Sequence, residues 1–184
     1  SQYARSYLDG AGLKRTKSII CEYNTSYRGG TPPALRESYP SELGMALILA
    51  QKSYADMMFY STSDVYSAEN GLFSVDDRCS HRHYAAYNVM RSFASLAKIG
   101  TAIDSGDDHR KEVYTLAAYN GKDAALMTVI GKYEGRLEIL LGGSPFDYCT
   151  VTKNSPGGDR GKGKIYRSKE LAIAGGKIAL SVKP

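Results

Sequence analysis

Ser18-Ile-Ile-Cys-Glu-Tyr-Asn-Thr-Ser-Tyr27 sets one carboxylate, Glu22, directly after a largely apolar run and follows it with aromatics, an amide and hydroxyls. A carboxylate at the end of a buried strand is costly unless something there uses it. Upstream, Tyr3, Ala4, Tyr7, Leu8 and Ala11 recur at helical spacing, Gly10 and Gly12 end that helix, and Thr16 to Cys21 reads as a short buried strand. Downstream, past a polar stretch with Gly29-Gly30 and Pro32-Pro33, Ser41 or the neighbouring Pro40 opens a second helix from Glu42 to Gln51. This helix is apolar nearly all round and is expected to be buried on most sides. Ala55 to Tyr60 is the next strand, a long loop rich in Ser and Asp follows, and Tyr84 to Ile99 is helical, carrying Val89, Met90, Phe93 and Leu96. Apolar strands alternating with helices predict a parallel sheet covered by helices.

Around Asp104-Ser-Gly-Asp-Asp-His-Arg-Lys111 the pattern changes. Beyond this charged linker come short strand-like segments: Val113 to Tyr119, Ala124 to Ile130, Leu137 to Leu141, Tyr148 to Thr152, and Ile178 to Val182. The third and last alternate with period two, as antiparallel strands do. Asn120-Gly121 and Gly175-Gly176 tolerate positive φ and are hairpin-turn candidates, so this half is expected to be a small β-sandwich. The expected fold class is α/β followed by all-β, divided into residues 1–103 and 104–184.

The composition, 42% hydrophobic and 23% charged over 184 residues, is that of an ordinary folded chain. No apolar run is long enough to span a bilayer and no signal-peptide pattern is present, so no membrane partner is expected. The chain begins without Met inside a helical pattern, so an address lost with an upstream segment leaves the location open, with the cytoplasm favoured. Much of the net charge of +5 comes from Arg160, Lys162, Lys164, Arg167 and Lys169 in a glycine-rich stretch, which reads as a solvated loop. A nucleic-acid groove would need a basic face with stacking aromatics, so no nucleic acid is expected. Cys21, Cys79 and Cys149 are odd in number and widely spaced, which favours reduced thiols.

A Glu at the carboxyl end of a parallel strand lies where such folds place their active sites. Asn24, Thr25, Ser26 and Tyr27 offer hydrogen bonds to a polyol, and Tyr23 a ring to pack beside a sugar. The alternative is a Glu held by an arginine at the rim of the sheet, and pattern alone does not separate the two. Three further motifs read as structural. Gly158-Asp-Arg-Gly-Lys-Gly-Lys164 has phosphate-loop spacing, but Ile165 replaces the Mg²⁺-binding hydroxyl and no helix follows. Cys79-Ser-His-Arg-His83 lacks a second cluster to complete a metal site and reads as a loop leading into a helix. Asp76-Asp77 and Asp107-Asp108 read as solvated loop charges. No metal and no cofactor are expected.

Glu22-Tyr-Asn-Thr-Ser-Tyr27 resembles the strand-seven motif of the family 39 glycoside hydrolases, which include β-xylosidases and α-L-iduronidases, within the clan of (β/α)₈-barrel retaining glycosidases. Tyr60-Ser-Thr-Ser-Asp-Val-Tyr66 resembles the strand-eight end of that family, Asn70-Gly-Leu-Phe73 its following loop, and His83-Tyr-Ala-Ala-Tyr87 the start of its last barrel helix. The resemblance implies that residues 1–103 are the last two βα units of a TIM barrel and residues 104–184 an accessory antiparallel β-sandwich. It implies a hydrolase of oligo- or polysaccharides with Glu22 as nucleophile and Asn24, Tyr27, Tyr60 and Asp64 as substrate-binding neighbours. The family's acid/base is a Glu preceded by Asn at the end of strand four, and no Asn-Glu pair occurs here, so that residue is expected on a segment upstream. Clan members place a Trp where Tyr60 aligns; this chain has no Trp and 15 Tyr, and Tyr60 is read as a smaller platform under the sugar. Two strands of an eight-stranded barrel leave a sheet edge uncovered, to be closed by the missing part of the barrel or by a homo-oligomer contact. The competing reading is a non-catalytic β-sandwich module that binds carbohydrate or a partner.

Overall fold

The computed structural model describes residues 2–23, 38–53, 55–60, 72–75, 81–131, 133–155 and 164–182. The first half runs α1 (Gln2–Gly10), β1 (Ile19–Tyr23), α2 (Tyr39–Gln51), β2 (Met57–Tyr60), a short hairpin of β3 (Phe73–Val75) and β4 (His81–His83), and α3 (Ala85–Ile99). The second half is β5 (Thr101–Ile103), β6 (Val113–Tyr119), β7 (Ala124–Ile130), β8 (Gly135–Leu140), β9 (Tyr148–Ser155), β10 (Lys164–Ala172) and β11 (Lys177–Val182). β1 and β2 are parallel; β5-β6-β7 is an antiparallel sheet, and β8 pairs with β11 and β9 with β10, both antiparallel. The architecture is thus mixed helix and strand in small sheets, and the described strands do not close into a barrel. No helix among the described residues is long and apolar enough to cross a membrane.

The apolar helix of the sequence reading is α2, and its lack of a polar face has a direct cause. Tyr39, Leu43 and Leu47 join Ala86 and Val89 of α3 in a core against which Tyr23, Met58 and Tyr60 of the parallel pair pack. Ile48, one position on from Leu47, joins a second core with Leu96 of α3 and Leu116, Ala118 and Val129 of the antiparallel sheet. The helix pair α2–α3 is therefore a middle layer with a sheet on each side. The register Leu116↔Met127, Ala118↔Ala125 and Tyr114↔Val129 puts the sheet's helix-facing residues opposite one another, as the period-two pattern requires. Gly44 makes the layer thin enough: a Cβ there would lie 2.7 Å from Val129 Cγ2 and 3.3 Å from Val89 Cγ1.

Several expectations are corrected. Thr16 to Cys21 is not a buried strand: β1 starts at Ile19, and Ile19, Ile20 and Cys21 are exposed, because among the described residues β2 is its only pairing partner. Lys164, Arg167 and Lys169 are not loop residues but lie in β10, whose ladder with the long β9 decides the conformation where local composition points to a loop. His81 to His83 form a strand, not a loop. The linker aspartates are structural. Asp107 accepts from Lys52 Nζ at 2.9 Å and from Thr115 N at 2.7 Å, while Lys52 also donates to Ser105 O at 3.0 Å, so the end of α2 is tied to the start of the second half. Asp108 accepts from Arg110 N and Lys111 N and caps a short 3₁₀ turn, His109–Lys111. The turn candidates hold: Gly175 and Gly176 both have positive φ, as a two-residue primed turn needs, and Asn120 Oδ1 accepts from Lys122 N and Asp123 N in the turn between β6 and β7.

Gly44→Ala is expected to lower stability by about 1 kcal/mol, the overpacking outweighing alanine's better helix propensity; a raised calorimetric melting temperature would show that Val129 simply yields. Burial pushes the Asp107 carboxyl up, but the Lys52 ammonium and the Thr115 N–H outweigh it and hold the group below the ordinary carboxylate value. A carboxyl held low in the folded state stabilises above its unfolded pKa, and that contribution is lost as pH falls through the lower folded value. The melting temperature of the wild type should therefore exceed that of Asp107→Asn at neutral pH, and the gap should shrink below about pH 4.

Candidate functional site at the carboxyl end of the parallel pair

The amino ends of β1 and β2 are pinned by Asp56, which accepts from Ser18 N at 2.8 Å and from Lys17 Nζ at 3.0 Å. Those two bonds, backbone first, hold its carboxyl below the ordinary range. From there the strands run in register, Ile19↔Met57 and Ile20↔Met58, and then the pairing jumps to Tyr23↔Tyr60. Two residues of β1, Cys21 and Glu22, thus oppose the single residue Phe59 of β2. This is a bulge, a device that breaks the alternation of a strand and re-aims what lies on it. Glu22 sits in that bulge, one residue from the carboxyl end of the strand.

Three tyrosines gather beside it. Tyr23 and Tyr60 are paired in register, both pack against the core of the helix pair, and the hydroxyl of Tyr60 is bonded to that of Tyr39 in the first turn of α2. Tyr39 is fully buried (0% exposed). Ser38 Oγ donates to Glu42 Oε1 at 2.7 Å, fixing a carboxylate in the same helical turn. Burial, then the negative charge of Glu42 and then the neighbouring Tyr60, push the Tyr23 hydroxyl up to about 12, so it is a protonated phenol over the whole physiological range.

Of the residues singled out in the sequence, the structure places the backbone of Glu22 and the side chain of Tyr60 at one end of one pair of strands. Asn24, Tyr27 and Asp64 lie outside the described residues. His83, at the end of β4, stacks on Tyr87 of α3 with ring centroids 4.2 Å apart. Tyr39 and Glu42 were not anticipated as neighbours of the site. Their signal was the segment Tyr39-Pro-Ser-Glu42 opening the helix that follows the Glu22 strand, since in a βα unit the start of the helix lies at the carboxyl end of the strand. Among the described residues no group of three His, Cys, Asp or Glu is placed to hold a metal ion.

No family profile and no curated protein matches the sequence. Among solved structures, a glucosidase from Croceicoccus marinus superposes with a TM-score of 0.65 at 15% identity, over 99% of this chain and 47% of that one. The chain shares the fold of part of a glycoside hydrolase. It spans about half the length of that neighbour.

Proposed function

We propose that this chain carries the nucleophile side of a retaining glycoside hydrolase site. Residues 1–103 would form the strand-seven and strand-eight portion of a (β/α)₈ barrel, and residues 104–184 an accessory β-sandwich. The observation that carries the reading is Glu22 in a bulge at the carboxyl end of a parallel pair, the end where such folds do chemistry. The glucosidase likeness supports a glycoside hydrolase fold, and the motif Glu22 to Tyr27 supports family 39, its barrel and a β-xylosidase-like specificity for oligo- or polysaccharides. Glu22 attacks the anomeric carbon, a second carboxyl about 5–5.5 Å away protonates the leaving oxygen, and water then displaces Glu22, giving net retention. That second carboxyl belongs to the part of the barrel outside these 184 residues. Asn24, Tyr27 and Asp64 would contact the sugar, with Tyr60 at the rim of the same strand end.

The same reading accounts for an uncovered apolar face. Ile19, Met57 and Phe59 are 49%, 50% and 51% exposed, and in a complete barrel this side of the parallel pair would be covered by the other strands and their side chains.

Glu22→Gln in the enzyme that carries this chain with its acid/base is expected to cut turnover by about 10⁴-fold or more, and a 2-deoxy-2-fluoro-xyloside with a good leaving group should add its mass to the peptide containing Glu22. Unchanged turnover removes Glu22 from the mechanism. A carbohydrate-binding role for the second half would need coplanar exposed rings, whereas Tyr119 and Phe146 meet edge-on at 81° and Lys111 Nζ lies 5.2 Å over the Tyr133 ring. Titration of the chain with xylo- and cello-oligosaccharides is accordingly expected to release no heat; saturable binding in the micromolar range would make the module reading the better one.

A further inference from the structure

We propose that Tyr60 is a positioning residue for Glu22, acting with Tyr39 as a two-hydroxyl clamp on the bulge; this rests on Glu22 being the nucleophile. A bulge interrupts the ladder, so whatever holds the chain on its far side decides where the bulged residue lies. Here the ladder resumes for one pair only, Tyr23↔Tyr60, before the strand ends. Tyr60 is in turn held by Tyr39, whose ring is locked in the core with Leu43 and Leu47. Tyr23 and Tyr39 lie on opposite sides of residues 24–37 in sequence, so both flanks of that stretch converge on one residue, Tyr23 through the strand pairing and Tyr39 through its hydroxyl. The half-buried Tyr60 ring packs on the helix core, and its hydroxyl engages Tyr39. That is the setting of a residue that fixes backbone, in contrast to a free platform under a sugar. Tyr23, held protonated by burial and by the nearby Glu42 carboxylate, adds no charge of its own at neutral pH.

The clamp acts on the reacting carboxylate through the backbone, so removing it should change the rate more than the affinity. A displacement of about 1 Å at a reacting group costs about 100-fold in rate. The variants are Tyr39→Phe and Tyr60→Phe, each of which keeps the ring and removes a hydroxyl, and the double variant, all in the enzyme that carries this chain with its acid/base. The readouts are kcat and KM for an aryl xyloside, the rate of labelling at Glu22 by the 2-fluoro-xyloside, and the melting temperature. Each single variant is expected to lower kcat and the labelling rate about 10- to 100-fold, with KM changed less than about threefold. The double variant is expected to be slowed by less than the product of the two single effects, because both lose the bond between Tyr39 and Tyr60.

Tyr39 is fully buried and cannot touch a sugar, so its effect separates the clamp from a substrate contact. If Tyr39→Phe lowers only the melting temperature and leaves kcat and labelling unchanged, the pair is merely structural and the inference fails. A Tyr60→Phe enzyme with a raised KM, beside a normal Tyr39→Phe enzyme, makes Tyr60 a substrate contact and also overturns it. Should Tyr39→Phe not fold, Tyr60→Phe decides on the split between kcat and KM. Glu22→Gln is run alongside: full turnover in that variant refutes the nucleophile reading itself, whereas lost turnover with silent tyrosine variants refutes only the clamp.

Discussion

Two sheets share one pair of helices, and the rest of the molecule is arranged around that constraint. The pair α2–α3 buries Tyr39, Leu43, Ala86 and Val89 toward the parallel strands and Ile48 and Leu96 toward β6 and β7. A helix so placed keeps little surface for water, with Leu49 (42% exposed) and Gln51 its exposed residues, so it is apolar nearly all round, and it must be thin where the antiparallel sheet presses on it. Gly44 supplies the thinness, with Val129 and Val89 already at the distance a methyl group would occupy. Removing apolar surface from water on both sides of one layer contributes roughly 1.5–3 kcal/mol for each large side chain buried. The ion pair of Lys52 with Asp107 adds direction to that packing, tying the end of α2 to the segment that leads into β6.

The side of the parallel pair facing away from the helices has no such partner among the described residues. Ile19, Met57 and Phe59 stand exposed there, and Tyr3 and Tyr7 of α1 are exposed as well. Arg5 holds α1 to its own following loop by donating to Thr16 O at 2.7 Å and Leu13 O at 2.9 Å, so that helix is anchored locally and without a core.

The register Tyr23↔Tyr60 ends the strands against the core, while the bulge before it gives Cys21 and Glu22 a place outside the regular alternation.

Local pattern in the amino-acid sequence was enough to place α1, α2, α3, β6 and β7 and the turns at Asn120 and Gly175-Gly176, because each depends on residues within a few positions of one another. It was also enough to single out Glu22, since a carboxylate closing an apolar run needs no partner to be noticed. Pairing was beyond it. That Lys164–Ala172 is a strand depends on β9, and that Phe73–Val75 and His81–His83 are strands depends on each other; the first does not alternate and the other two are too short to show a period. The bulge at Cys21 and Glu22 exists only relative to β2, and the tyrosine cluster joins residues 23, 39 and 60, far apart along the chain. Asp107 looked like a solvated charge because its partners, Lys52 and Thr115, are brought to it by packing. Periodicity and turn chemistry are properties of neighbours in sequence; register, burial and the partner of a charge belong to neighbours in space, and those are chosen by the packing of the helix layer.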